Sequence, residues 1–74
     1  MQRVGTVVRT AGGLAIVRGD RGEEPPRIGA AVVDESLSTV GRVVDVFGPV
    51  DRPYVAVTPN DGLAALVGEK LYAR

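Results

Sequence analysis

The chain has 74 residues, with nine basic residues balanced by nine acidic ones, an apolar content of 45% and a pI of about 6.1. That is room for one domain and one core, spanning residues 1–74, which buries only about 60% of the unfolded surface and leaves a thin stability margin. There is no cysteine and no histidine. This excludes disulfides, thiolate chemistry, the usual zinc ligands and the commonest general base. Nucleic-acid binders usually show a clear basic excess, and this chain has none.

Fourteen valines and ten glycines set the texture, β-branched runs broken by turns. Residues 3–10 read as a first strand, Ala11-Gly12-Gly13 as a hairpin turn, and 14–18 as a second strand. Residues 19–28 form one long loop stiffened by Pro25-Pro26. A third strand is expected at 30–34, a turn at Asp34-Glu35-Ser36, and a longer strand at 37–47. Gly48-Pro49 ends that strand, and a fifth follows at 53–58. Pro59-Asn60-Asp61-Gly62 is dense turn chemistry, residues 60–67 are the one helix candidate, and Lys70-Leu71-Tyr72-Ala73 reads as a closing strand. Six short strands with at most one helical turn give an all-β fold, a closed or nearly closed antiparallel barrel, with a sandwich as the alternative.

Val4-Gly5-Thr6-Val7-Val8 echoes Val40-Gly41-Arg42-Val43-Val44. In a chain this rich in valine the echo reads as coincidence; the structural alternative puts Gly5 and Gly41 each where a strand bends to close a barrel.

Catalysis lacks its parts. Ser36, Ser38 and the threonines have no histidine to activate them, and the pairs Glu23-Glu24 and Asp34-Glu35 sit in loops or turns, where a large pKa shift needs burial they do not have. No cofactor or metal motif is present, and the longest apolar runs fall far short of the roughly 20 residues that cross a bilayer. The opening Met1-Gln2-Arg3-Val4-Gly5 lacks the apolar core of a signal peptide, so a cytoplasmic setting is expected.

The informative stretch is 40–58. Strict alternation on the fourth strand groups Arg42, Val44 and Val46 against Val43, Asp45 and Phe47, and neither set is cleanly apolar. Either a bulge shifts the register or one apolar set lies outside. Val44, Val46, Phe47, Gly48, Pro49, Val50 and Tyr54 are therefore the candidate partner-binding strip, with Tyr54 pointing outward. Base stacking on Phe47 and Tyr54 ranks behind protein docking, because only Arg42 and Arg52 lie near them along the chain.

The series Ile28-Gly29, Val32-Val33-Asp34, Val40-Gly41-Arg42-Val43, Val46-Phe47-Gly48-Pro49-Val50 and Pro53-Tyr54-Val55-Ala56-Val57, closed by Gly68-Glu69-Lys70-Leu71-Tyr72, resembles the archaeal Gar-type subunit of box H/ACA RNA-guided pseudouridylation particles. The likeness runs from about residue 4 to residue 72. It implies a translation-factor-like six-stranded barrel that docks, as a monomer when free, on the catalytic domain of a dyskerin-type pseudouridine synthase. Such a subunit assists loading, turnover and release of substrate RNA. It meets the guide RNA particle indirectly, with little direct RNA contact and no membrane. The chain departs from the pattern in Val44, where a charged residue is expected, and tail-mediated RNA contact does not transfer, since the Gly/Arg-rich tails belong to eukaryotic members of the family. Two other classes stay open: a ribosome-maturation or translation-factor barrel that binds rRNA or a ribosomal protein, and a barrel that oligomerises through the same strip.

Overall fold

The computed structural model describes residues 2–19, 24–60 and 67–74. Six strands follow in chain order: β1 (Gln2–Ala11), β2 (Leu14–Arg18), β3 (Ala31–Val33), β4 (Thr39–Phe47), β5 (Tyr54–Pro59) and β6 (Lys70–Ala73). All pairings are antiparallel, and the order β1-β2-β5-β4-β3-β6 closes on itself. Closure decides between barrel and sandwich, because each strand finds two neighbours and no edge is left open. Among the described residues there is no helix, and the expected helical turn at 60–67 falls largely on residues outside them.

Inward-facing side chains form one core: Val4, Val7, Ala15, Val17, Val32, Val43, Val55, Val57, Leu71 and Ala73, with Ala30, Val40 and Val46 packed against it. Most of these are valines, small and stiff enough to fill a narrow barrel in single rotamers. The third strand is shorter than the expected 30–34. Asp34 leaves the ladder because its carboxylate accepts hydrogen bonds from the Ser36 hydroxyl (2.7 Å), the Ser36 amide (2.9 Å) and the Ser38 amide (3.1 Å). These local bonds compete with strand pairing and win.

The echo between residues 4–8 and 40–44 is structural. Gly5 faces Leu71 as Gly41 faces Val32, and Val7 faces Val17 as Val43 faces Val57. Each strand then carries one extra residue, Val8 or Val44, before pairing resumes at Arg9 with Ile16 and at Asp45 with Ala56. Outside the ladder, Val7 exchanges backbone bonds with Glu69 (2.9 Å) and Gly68 (2.8 Å), and Val43 does the same with Ala30 (3.0 Å) and Gly29 (2.7 Å). The units β1–β3 and β4–β6 are thus related by an internal two-fold axis through the Ile16–Ala56 pair at the centre of the β2–β5 seam.

Close approach at the two equivalent glycines seals this arrangement. A Cβ on Gly5 would run into the carbonyl oxygen of Arg18, and one on Gly41 into that of Thr58. Only glycine lets the strands cross so tightly.

Candidate docking face

The β4–β5 hairpin positions the strip. Its register runs Val43–Val57, then Asp45–Ala56, Val46–Val55 and Phe47–Tyr54, so the extra residue is Val44. Of the two possibilities left open by alternation, the bulge is realised. It turns Val46 inward, half-buried against the core, and leaves Val44 and Phe47 outside at 41% and 40% exposure. Val46 therefore supports the strip from within and does not line it. Phe47 is a surface residue, not the largest member of the core.

Phe47 and Tyr54, facing each other across the hairpin, stack with ring centroids 5.7 Å apart and planes 21° from parallel. Tyr54 is half-buried by this packing. Gly48 begins the turn with φ +93°, and a Cβ there would lie 2.9 Å from Cδ2 of Tyr54. The turn chemistry and the aromatic shelf thus depend on one glycine. Beyond it Pro49 accepts a hydrogen bond from the amide of Arg52 (3.2 Å), and Val50 at the tip is fully exposed. The Pro53 carbonyl accepts from the amide of Gly19 (3.1 Å), which pins the end of the turn to the residue that follows β2. Gly48, Pro49 and Val50 reach solvent next to the aromatic pair in the chain, and Val44 reaches it further along β4, beyond the exposed Asp45.

One residue of this neighbourhood lay outside the expected strip. Ile28 is 66% exposed. The bonds from Gly29 and Ala30 to Val43, together with Arg42 Nη1 donating to the Gly29 carbonyl (3.1 Å), hold its segment alongside β4 next to Val44. No periodicity could have revealed this, since the contact spans a loop and a turn. An apolar exposed stretch of this kind on a neutral surface is the signature of a contact area.

Elsewhere the surface offers little to chemistry. A cavity of about 250 Å³ is lined by Asp34, Glu35, Leu37 and Tyr72, and one of about 300 Å³ by Gln2, Pro26, Arg27, Ala30, Ala73 and Arg74. Asp34 shows a displaced pKa. The Ser36 hydroxyl first, then the Ser38 amide, holds it below its ordinary value, which suits a turn carboxylate and not a general base. Among the described residues no group of three or more His, Cys, Asp or Glu could hold a metal ion, and no helix is long and apolar enough to cross a membrane.

The molecule is thus a small closed barrel that presents an aromatic, apolar hairpin to solvent. A sequence model of the Gar1/Naf1 RNA binding region matches residues 1–74, and the chain belongs to that family. What that family model describes is an RNA-binding region. Two archaeal relatives are similar. An uncharacterized protein of Methanocaldococcus jannaschii is 39% identical over 51 residues, covering 69% of this chain and 58% of its own length. An uncharacterized protein of Methanothermobacter thermautotrophicus is 34% identical over 65 residues, covering 81% of this chain and 67% of its own. The chain thus spans about three-fifths to two-thirds of the length of these relatives.

Proposed function

We propose that this chain is a non-catalytic subunit of an H/ACA RNA-guided pseudouridylation particle. It docks on the catalytic domain of a dyskerin-type pseudouridine synthase and assists substrate RNA loading, turnover and release. The observation that carries the reading is the outward Phe47–Tyr54 stack with the bulged Val44 further along β4, an aromatic and aliphatic surface that the core does not use. Interfaces concentrate their energy in such anchors, ringed by contacts that exclude water. The docking surface is Val44, Phe47, Gly48, Pro49, Val50 and Tyr54, with Val46 holding it from beneath and Ile28 extending it.

Calorimetric titration with the synthase tests this. Tyr54→Ala should weaken docking about 30-fold, equivalent to about 2 kcal/mol, while the barrel still melts cooperatively. Val44→Asp should fold and dock poorly, because position 44 faces water in the free protein and would bury an unpaired carboxylate in the complex. If both variants fold and bind as tightly as the parent, this face is not the interface. Light scattering separates the adaptor from a barrel that oligomerises through the strip: the free chain should run as a monomer.

A further inference from the structure

Closing the barrel aligns five residues, one per strand, that lie far apart in the sequence. Lys70 on β6 pairs with Thr6 on β1, Thr6 with Arg18 on β2, Arg18 with Tyr54 on β5, and Tyr54 with Phe47 on β4. Their strand neighbours Leu71, Val7, Val17 and Val55 are buried inside. Lys70, Arg18 and Phe47 are exposed, and Thr6 and Tyr54 half-buried, so the row lies on the outer surface. It contains two cations, a hydroxyl and a stacked aromatic pair, and no acid. Strands in a sheet are about 4.8 Å apart, so the two cations sit about 10 Å from each other, with Arg18 on the strand next to Tyr54.

The fold does not demand these residues. The internal two-fold axis carries the row onto Ala31, Arg42, Thr58, Leu14 and Ala11, which occupy the corresponding outer positions of the other half. That set has one cation and no aromatic ring, yet serves the barrel equally well. The chemistry of the first row is therefore surplus to the architecture.

We propose that single-stranded RNA lies across this row, with phosphates against Lys70 and Arg18 and a base against the Phe47–Tyr54 stack. Cations that track the backbone beside aromatic rings that take bases are the physical requirements for holding a single strand. A duplex keeps its bases stacked on one another and gains nothing from the rings. The site goes beyond the docking reading and shares only Tyr54 and Phe47 with it. Lys70, Thr6 and Arg18 lie on strands that contribute nothing to the docking hairpin. Two phosphate contacts make the interaction weak at physiological salt, and a synthase docked on Phe47 and Tyr54 displaces the strand, so the site belongs to the undocked subunit.

The test is a nuclear magnetic resonance titration of the full chain with an oligouridine of roughly ten nucleotides, in roughly 50 mM salt. Amide shifts should move at Thr6, Arg18, Tyr54, Phe47 and Lys70, and stay still around the Asp34–Ser38 turn. Affinity should fall with added salt with a logarithmic slope of about −1.4, the value for two phosphates on a single strand. The doubly substituted chain Arg18→Thr, Lys70→Ala takes the residues found at the equivalent positions of the other half. It should therefore fold, lose about tenfold in affinity and lose most of the salt slope. No saturable binding, unchanged binding by that variant, equal binding of a duplex, or shifts centred on Arg27 and Arg74 would each overturn the proposal. Docking is read separately. The Arg18→Thr, Lys70→Ala chain should dock on the synthase normally, and Val44→Asp should bind oligouridine normally, so either reading can fail alone.

Discussion

At position 41 a single added carbon meets the carbonyl oxygen of Thr58, and at position 5 that of Arg18. Backbone atoms cannot step aside as a flexible side chain would, so Gly41→Ala should destabilise the barrel by about 3 kcal/mol, a large share of a small domain's margin. Gly5→Ala should cost more, because Gly5 also sits at φ +141°, where an L side chain adds backbone strain to the clash. Denaturant titration of both variants reads the difference. Phe47→Ala should behave oppositely. With its ring outside the core it forfeits mainly the stack on Tyr54, about 1 kcal/mol, where an emptied core position would cost about 3 kcal/mol. A loss at the larger value would put Phe47 back in the interior.

Elements show where local chemistry overrides strand pairing. Asp34 ends β3 by turning its carboxylate on Ser36 and Ser38, and those bonds hold its folded pKa below the ordinary 3.8. A depressed carboxylate stabilises the fold fully above its unfolded pKa and loses that contribution as pH falls through the folded one. Asp34→Asn should therefore melt below the parent at neutral pH, and the gap should close as pH falls through the lowered folded pKa of Asp34. A gap that is constant across pH would mean that the charge plays no part in the turn.

The strands themselves were legible in the sequence, because each valine run is short and bounded by Gly, Pro or Asp. All six expected strands appear, the second and sixth at their expected bounds and the other four displaced by a residue or two at one or both ends. The β4–β5 hairpin was legible as a misfit: its alternation failed on both faces, and the bulge at Val44 is the reason. What the sequence could not supply was register. Arg18 and Tyr54 are 36 positions apart along the chain, so the aromatic pair seemed to have no basic neighbours but Arg42 and Arg52. Closure puts Arg18 on the strand beside Tyr54 and Thr6 and Lys70 further along the same row. Likewise the echo of residues 4–8 in 40–44 could be seen but not weighed until both copies were found to bulge at the same place.

For the whole molecule, charge and missing chemistry set the expectations. The purified chain should not isomerise uridine, since it has no His or Cys to act as general base or nucleophile. Tritium release from a labelled uridine substrate would detect the opposite. With a net charge of zero, affinity for guide RNA alone should stay above about a micromolar at physiological salt.

The two-fold relation has a consequence for connectivity. Residues 34–38 join β3 to β4, and the symmetry carries that turn onto the place where Ala73 and Gln2 face each other across the β1–β6 seam. Joining residue 74 to residue 1 through about one added residue would rebuild a five-residue turn there, matching 34–38 in length. The chain could then be opened at Leu37, a non-glycine held at φ +67°, which releases that strain. A chain so permuted should read its strands in the order β4, β5, β6, β1, β2, β3 and fold to the same barrel.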